Sequence, residues 1–343
     1  VARKKAEAEL GKIGKGINVN EEKREAERKR RAADLEKKRQ KSITLQAVLD
    51  QYLTENDQLR ANTRQSYRGV IEKHLKSWLD RPITEISPDM VTSKHAEIKK
   101  KSPSQADKAM RVLRLLFNSR DDLIENPTKR LTKKKKWAGA KRRQTVIKPS
   151  ELPAWYEAVM GYSSPVASDA LLLYLLTGLR EGELLTLRWS ADVDMEDKTF
   201  TIRSEISKNH RAHTLPMSEQ IFNIFNRRLA LRENQWVFPG QGPQGHLRET
   251  RRAVEAVTNQ SGVSFCLHDL RRTFASFAEQ EASYAMLKRL LNHSAGSDVT
   301  MGYLVITAEE LRRPMQMISD RIMRAIQNKE TKGAKVVPIR ARG

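Results

Sequence analysis

Six residues in the second half of the chain carry side chains that could together hold and attack a phosphodiester. In chain order they are Arg180, Lys208, His268, Arg271, His293 and Tyr303. Cationic groups aimed at the non-bridging oxygens stabilise the negative charge that grows there during attack. Arginine suits this task because its planar fork donates two parallel hydrogen bonds and stays charged. Since a tyrosine phenol can serve as the nucleophile, the set predicts phosphoryl transfer.

Taken one at a time, these residues also have ordinary explanations. Arg180 or Arg271 alone is more often part of a surface salt bridge, and Lys208 could be a solvated hairpin lysine. The stretch Leu290-Leu291-Asn292-His293 could be a helix end followed by a turn, and Tyr303 could pack in the core. The argument for chemistry therefore rests on the ordered combination.

Local patterns place the set on predicted elements. A helix is halted at Thr177-Gly178, and Arg180 begins the next one. His268 and Arg271 are three residues apart on a predicted helix through residues 268–279, so they share one helix face. Lys208 lies in a polar tract between two short β-type runs, residues 199–202 and 212–215, which predict a small antiparallel meander.

Charge and apolar periodicity divide the chain into five segments. The predicted fold class is α+β and mainly α, with a helical domain ahead of a mixed domain that holds the β-meander. The segments are a charged linker helix at 1–41, a small all-α domain at 42–131, a basic linker at 132–148, the mixed domain with a C-terminal helix at 149–328, and a basic tail at 329–343.

Two helix predictions in the all-α segment are specific enough to check. Ser87 is predicted to cap a helix with Pro88 at its first position. A further helix is predicted from Ser104 to Leu123, ahead of a break at Asn126-Pro127.

The basic linker contains the cluster of candidate DNA-binding residues Lys133, Lys134, Lys135, Lys136, Lys141, Arg142 and Arg143. A cluster this dense repels itself unless it faces an anion. A linker lying along a DNA backbone would satisfy it, and so would a solvated flexible hinge.

The overall charge favours a polyanionic partner. The 343 residues include 64 Lys+Arg and 42 Asp+Glu, a formal net charge of +22, and the isoelectric point is near 10.1. Such an excess concentrates nucleic acid around the chain, although a highly charged soluble protein or an anionic membrane surface could also explain it. Apolar runs of membrane-spanning length are missing from the sequence, and the mean hydropathy of −0.65 agrees, which argues against an integral membrane protein.

Cysteine content and the N-terminal sequence bear on the compartment. The single Cys266 offers neither an internal disulfide nor a cysteine pair for zinc, and we expect it to be a buried small hydrophobe. The sequence has no pattern of a secretory signal peptide, so cytosol or nucleoid is the expected location.

The motifs around the six residues resemble those of the tyrosine recombinases of the phage integrase family. Residues 177–184, Thr-Gly-Leu-Arg-Glu-Gly-Glu-Leu, with Leu-Arg-Trp at 187–189, look like the family's first-arginine motif. Residues 268–275, His-Asp-Leu-Arg-Arg-Thr-Phe-Ala, are similar to its second box. The resemblance covers about residues 42–328.

The remaining motifs fit the same family with one departure. Residues 290–293 resemble its Leu-Leu-Gly-His box, but Asn292 replaces the glycine. Tyr303 falls about where the family has its nucleophile, and Lys208 matches the family's β-hairpin lysine. Residues 2–16 resemble the tail of the arm-binding domain in P4-like or genomic-island integrases, which would make residues 1–41 a remnant of that domain.

The resemblance implies a mechanism without ATP, metal or other cofactor. Tyr303 would attack the scissile phosphate to form a 3′-phosphotyrosyl bond, and Lys208 would protonate the leaving 5′-oxygen. His268 would assist proton transfer or hold the phosphate, and Glu183 would orient its neighbouring arginine. The non-bridging oxygens would be bound by Arg180, Arg271 and His293.

The same resemblance implies the partners and the cellular role. We expect double-stranded DNA attachment sites, a homotetramer on DNA, and accessory DNA-bending or directionality proteins. The chain would insert or excise a phage or mobile genetic element in a bacterial host. The apolar stripe Leu311, Met315, Ile318, Ile322 and Ile326 would either pack in the core or lie on a helix exchanged with a neighbouring protomer.

Other classes fit the sequence less well. A DNA-binding protein on the same scaffold would not need the tyrosine. A topoisomerase would share the tyrosine chemistry, but the helical domain ahead of the mixed one favours recognition of a specific site. A metal-dependent nuclease would need a tight cluster of carboxylates, which the mixed segment does not show in its sequence.

Overall fold

The computed structural model describes residues 24–32, 34, 43–120, 125–139, 144–207, 209–293 and 306–327. The chain forms two compact units, one running to Arg142 and the other starting at Arg143. Each unit has its own hydrophobic core. Residues 24–32 form an exposed helix, in which Lys29 and Glu25 pair at 3.1 Å.

The first unit is helical. It contains α1 (Leu45–Glu55), α2 (Ala61–His74), α3 (Pro88–Lys101), α4 (Pro103–Asn118) and α5 (Lys129–Lys133), with 3₁₀ turns at Lys76–Trp78 and Ile83–Glu85. The cap predicted for α3 is confirmed, because the Ser87 hydroxyl accepts the N–H of Met90 and Pro88 occupies the first turn. Ser102 and Pro103 repeat this arrangement at α4.

The apolar faces of these helices meet around α4. Met110, Leu113 and Leu116 of α4 are fully buried, together with Leu45 and Leu49 of α1. Residues spaced three and four apart thus form one stripe on each helix, as the sequence pattern indicates.

The predicted end of α4 was wrong. The helix was expected to reach Leu123 but ends at Asn118. The Asn126 side-chain amide donates to the carbonyl of Arg114 and to Asn118 Oδ1, at 3.0 and 2.7 Å. These two bonds tie the chain at Asn126 back onto the last turns of α4.

The second unit is mixed and mainly helical. Its helices are α6 (Leu152–Met160), α7 (Pro165–Thr177), α8 (Glu181–Leu185), α9 (Trp189–Asp192), α10 (Glu219–Ala230), α11 (Arg251–Ser261), α12 (Leu267–Glu281), α13 (Tyr284–Leu290) and α14 (Ala308–Gln327), with a 3₁₀ turn at Pro149–Glu151. The helix α7 is buried on nearly all sides and packs against α12. This central position explains its continuous run of apolar residues.

The β-meander has three antiparallel strands, β1 (Val193–Asp194), β2 (Thr199–Ile202) and β3 (His213–Pro216), in the order β1-β2-β3. Phe200 pairs with Leu215, and Thr201 with Thr214. The turn between β2 and β3 contains position 208. The α+β, mainly α fold class is therefore confirmed.

The C-terminal helix α14 packs on its own unit. The predicted apolar stripe, Leu311, Met315, Ile318, Ile322 and Ile326, is at most 5% exposed. The helix contacts α12, β3 and α6, so the stripe forms part of the core. Among the described residues, no helix combines the length and the apolar character needed to cross a bilayer.

Candidate active site

Arg180 lies at the N-cap of α8, directly after the turn that ends α7. That turn requires glycine, since Gly178 has φ +64° and a Cβ there would approach Phe274 Cδ1 to 2.6 Å. Glu183, which is 3% exposed, accepts from Arg180 Nη1 at 2.7 Å and from the Arg180 backbone N–H at 3.0 Å. A buried carboxylate thus fixes the direction of this guanidinium.

Arg271 lies on the buried face of α12 and joins three separate segments. Its Nη1 donates to the Gly178 carbonyl at 2.5 Å, and its Nη2 donates to the Leu291 carbonyl at 2.6 Å. Nη2 also lies 3.0 Å from His293 Nε2. Since only 6% of Arg271 is exposed, these contacts hold the guanidinium between the first-arginine turn and the His293 loop.

His293 follows α13 in an exposed position, with its ring against Arg271. A guanidinium can only donate, so the facing Nε2 must carry a lone pair and the proton must lie on Nδ1. Asn292 precedes it with φ +47°, a left-handed conformation that glycine and asparagine tolerate best. The departure from glycine in the sequence motif is therefore compatible with the same backbone turn.

His268 is exposed on the first turn of α12, one helical turn before Arg271. Burial, and then the charges of Arg272 and Arg271, hold its pKa below the ordinary histidine value. At neutral pH the ring is consequently uncharged and able to accept a proton.

Mutual electrostatic effects show that these groups share one site. Burial, followed by the charge of Arg180, lowers the pKa of Arg271 to about 10. Burial, then Arg271 and Arg180, also lowers the pKa of His293. The concentrated positive charge suits an anionic substrate group, and two guanidiniums with a neutral histidine can bind the non-bridging oxygens of one phosphate.

The remaining predicted site residues divide between exposed and undescribed positions. Lys133, Lys134, Lys135 and Lys136 are exposed at the end of α5 and just beyond it. The other candidates lie outside the described residues: Lys208, Tyr303, Lys141, Arg142 and Arg143.

Sequence reasoning missed a set of polar side chains that hold the loop before His293. His213 Nε2 lies 3.4 Å from the Leu290 carbonyl, Arg271 binds the Leu291 carbonyl, and Asn209 Nδ2 donates to the Asn292 carbonyl at 2.8 Å. Three consecutive carbonyls thus meet side chains from β3, α12 and the β2–β3 turn. The one available signal was Asn292 itself, an amide in place of glycine.

His213 is fully buried. Burial, and then Arg289, lower its pKa to about 4. Its Nδ1 has no hydrogen-bond partner among the described residues. The ring is therefore neutral and serves the packing of β3 on α13.

Asp269 ties the chain at Thr145 to the site helix. Its Oδ1 accepts from Thr145 Oγ1 at 2.6 Å and from Arg272 Nη1 at 3.0 Å, and its Oδ2 accepts the Cys266 N–H at 3.0 Å. Cys266 is half-buried and its Sγ also donates to Oδ2 at 3.1 Å, so it is more polar in its contacts than a buried hydrophobe. Burial raises the pKa of Asp269, but these hydrogen bonds outweigh it and leave the pKa below its usual range.

Part of the chain is similar to known proteins. The Phage integrase family matches residues 145–310. Prophage integrase IntF of Escherichia coli K12 is 25% identical over 259 residues, which cover 71% of this chain and 53% of IntF. Prophage integrase IntZ of the same strain is 30% identical over 139 residues, covering 40% and 34% of the two chains. The chain thus spans about half of IntF and a third of IntZ.

Two solved structures share the fold. A lambda integrase dimer bound to a COC′ core site matches with a TM-score of 0.61 and 18% identity, over 79% of each chain. The Tn1549 transposon integrase in complex with circular intermediate DNA matches with a TM-score of 0.59 and 15% identity, over 78% of this chain and 98% of the other. The fold is therefore similar to that of these two integrases. In sequence, the similarity to the phage integrase family covers residues 145–310, just under half of the chain.

Proposed function

We propose that this chain is a site-specific DNA recombinase, an integrase that cleaves and rejoins DNA through a 3′-phosphotyrosyl intermediate. It would insert or excise a phage or other mobile genetic element in the cytoplasm of a bacterial host, in association with the nucleoid. The match of residues 145–310 to the phage integrase family and the similarity to two prophage integrases support this proposal.

The observation that carries the proposal is the junction at Arg271. One buried guanidinium contacts the turn before Arg180 and the loop that ends in His293. Three motifs separated by 93 and 20 residues are thereby gathered around one anion-binding position. A protein that only binds DNA has no need to hold cations in this fixed geometry.

In the proposed reaction, the Tyr303 phenolic oxygen attacks the scissile phosphorus and the bond to the 5′-oxygen breaks. Arg180, Arg271 and His293 bind the non-bridging oxygens, whose negative charge increases in the transition state. His268, uncharged at neutral pH, accepts the phenol proton or holds the phosphate. Lys208 protonates the leaving 5′-oxygen. Rejoining is the reverse attack by a 5′-hydroxyl, so the bond energy is conserved and no cofactor is required.

The proposed partners are double-stranded attachment sites, with four protomers on two duplexes and accessory proteins that set direction. The exposed Lys133 to Lys136 run would contact the phosphate backbone, together with Lys141, Arg142 and Arg143. Exchange of α14 between protomers would place the same apolar stripe in an identical groove, so it would change the buried apolar area little. The two lambda integrase assemblies, a dimer on a core site and a tetramer on a Holliday junction, share the fold and motivate this expectation.

Covalent capture tests the proposal directly. The full chain is incubated without magnesium with nicked duplexes that carry a randomised core, and denaturant-resistant protein–DNA adducts are collected and sequenced. We expect the wild type to yield adducts enriched in one core sequence, with the DNA 3′-phosphate linked to a peptide containing Tyr303. Tyr303→Phe should yield none. Failure of the wild type on all cores, or equal yield from Tyr303→Phe, would contradict the mechanism.

Matched arginine variants distinguish a catalytic role of an arginine from a general effect of its positive charge on DNA binding. Arg180→Ala and Arg271→Ala should lower the cleavage rate by about 10²-fold or more while affinity for the selected duplex falls much less. Arg251, exposed and paired with Glu255 at 3.0 Å, is the control because Arg251→Ala removes the same charge outside the site. Equal losses in binding and cleavage for all three would indicate general electrostatics.

A further inference from the structure

Asn292 links the loop before His293 to the β2–β3 turn. Its Nδ2 donates to Ser207 Oγ at 3.0 Å. In return, Asn209 Nδ2 donates to the Asn292 carbonyl at 2.8 Å and lies 3.4 Å from Asn292 Oδ1. We call these three residues the amide clasp.

The clasp is built into the protein interior. Ser207 is fully buried and Asn292 is 8% exposed. A hydrogen bond between buried polar groups holds its partners firmly, because breaking it leaves unsatisfied groups away from water. The bonds span 83 and 85 residues of sequence, so they fix two distant segments against each other.

The backbone of each segment prepares the clasp. Asn292 has φ +47°, so its side chain leaves a left-handed residue toward the turn. On the other side, the Ser207 N–H binds the Arg203 carbonyl at 2.9 Å and the His210 N–H binds the Ser207 carbonyl at 3.2 Å. The turn is thus ordered on both sides of position 208.

We propose that Asn292 is a positioning residue that holds the turn carrying Lys208 in register with His293, and so aligns the proton donor for the leaving 5′-oxygen. The clasp holds the residue before Lys208 and the residue after it in the sequence. The other end of the same loop is His293, which is held by Arg271. Phosphate binding and leaving-group protonation are therefore coupled through one amide side chain.

This inference rests on the proposed recombinase function and on the proposed role of Lys208. A glycine at position 292 could keep the left-handed backbone but could not reach Ser207. The coupling is consequently a property of the asparagine and not of the turn conformation, which makes Asn292→Gly an informative variant.

The test compares two leaving groups in single-turnover cleavage by the full chain. One substrate is an uncleaved duplex with the core sequence that covalent capture selects. The other is the same duplex with sulphur in place of the scissile bridging 5′-oxygen. Because a thiol has a pKa of about 8.5, a thiolate leaves without a proton donor, whereas the oxygen leaving group needs one. Cleavage rate and duplex affinity are measured on both substrates for the wild type, Asn292→Gly, Asn209→Ala and Lys208→Ala.

We expect Asn292→Gly and Asn209→Ala to cleave the oxygen substrate about 10-fold more slowly, equivalent to a loss of ~1.4 kcal/mol in transition-state stabilisation. Affinity should be unchanged, and the sulphur substrate should restore cleavage to within about twofold of wild type on that substrate. Asn223→Ala, an exposed asparagine on α10, should behave as wild type on both.

Two results would overturn the inference. In the first, Asn292→Gly cleaves the oxygen substrate at the wild-type rate; in the second, its cleavage rate falls by the same factor on both substrates. The controls locate any failure. If the wild type forms no adduct, the proposed function itself fails. If sulphur rescues Asn292→Gly but not Lys208→Ala, the proton donor is not Lys208 and the inference is overturned in its stated form.

Discussion

The chain on either side of residues 140–143 is held by a buried aspartate, one in each unit, and the two anchors differ in what they hold. In the first unit Asp107 of α4 accepts the N–H groups of Ala138 and Gly139, at 2.8 and 3.1 Å. In the second unit Asp269 of α12 accepts the Thr145 hydroxyl at 2.6 Å. The first anchor therefore binds two backbone amides of the linker, whereas the second binds one linker side chain.

The partners of the two carboxylates differ as well. Asp107 pairs with the buried His95 at 2.9 Å, and the Trp137 ring packs edge-on against the His95 ring. The guanidiniums of Arg111 and Arg114 lie over the Trp137 ring. Asp269 instead caps the start of α12 and lies between His268 and Leu270 in the sequence. The first anchor therefore fixes the linker alone, while the second connects the linker to the helix that carries Arg271.

The largest expected effect comes from removing the second anchor. Asp269→Ala deletes the acceptor for Thr145, Cys266 and Arg272, and should destabilise the second unit by about 3 kcal/mol, as expected when a buried charged hydrogen-bond network is broken. Cleavage should fall together with stability. Differential scanning calorimetry and covalent capture measure the two effects, and Asp269→Asn, which keeps the shape and loses the charge, is the control. An unchanged cleavage rate in a destabilised protein would show that the anchor is independent of the site.

Removing the first anchor should cost less and act on binding. Asp107→Ala should destabilise the first unit by about 2 kcal/mol and expose the amides of Ala138 and Gly139 to hydrogen exchange. Affinity for DNA should fall, because the exposed Lys133 to Lys136 run loses its fixed attachment, while the cleavage rate at saturating DNA should be retained. Hydrogen exchange read by mass spectrometry and a binding titration test this. Loss of the saturated cleavage rate would contradict the difference between the anchors.

Acid should free the chain at Ala138 and Gly139 before it frees the segment at Thr145. Burial raises the pKa of Asp107, but hydrogen bonds from His95, Ala138 and Gly139 outweigh it and hold the pKa below its usual range; the pKa of Asp269 is lowered likewise. A depressed carboxyl pKa stabilises the fold above the ordinary value of about 4, and this stability is lost as the pH falls through the depressed value.

The segment at Thr145 has a second attachment that acid does not titrate, because the Ile147 N–H donates to Thr273 Oγ1 at 2.9 Å. Amide protection at Ala138 and Gly139 should therefore fall at a higher pH than protection at Ile147. Exchange measured across a series of pH values below about 5 decides the order, after correction for the intrinsic pH dependence of exchange. Simultaneous loss would show that the units respond as one.

The smallest expected effect concerns single donors beside each anchor. Thr145→Val should cost about 1 kcal/mol, since it removes the hydroxyl from the buried Asp269. Trp137→Phe keeps an aromatic ring, smaller than the indole, but removes the exposed Nε1 bond to Thr132, 3.0 Å long, and should cost about 0.5 kcal/mol. Denaturant unfolding of both variants gives the comparison, and a larger loss for Trp137→Phe would reverse the ranking.

The sequence predicted those parts of the molecule that depend on local patterns. Helix caps such as Ser87, the hairpin strands and the buried stripe of α14 follow from residue spacing and capping chemistry. The placement of Arg180 and Arg271 around one site followed from the family motifs. The end of α4 was mispredicted, because the chain leaves the helix after Asn118 and Asn126, eight residues further on, binds back to it.

The anchors and the amide clasp could not be predicted in this way. Asp269 meets Thr145 across 124 residues and Asn292 meets Ser207 across 85. Such long-range pairs produce no periodic pattern in the sequence, since a buried Asp or Asn cannot be distinguished there from any other polar residue. They become visible once packing brings the segments together.

Arg271 also has a consequence for the folded state as a whole. Burial, and then the charge of Arg180, lower its pKa to about 10, so the positive charge of Arg271 is disfavoured where the chain puts it. An anion bound to both guanidiniums would stabilise that charge. On the proposed function, DNA would stabilise the folded second unit as well as serve as substrate, and we expect the thermal stability of this unit to rise with DNA occupancy.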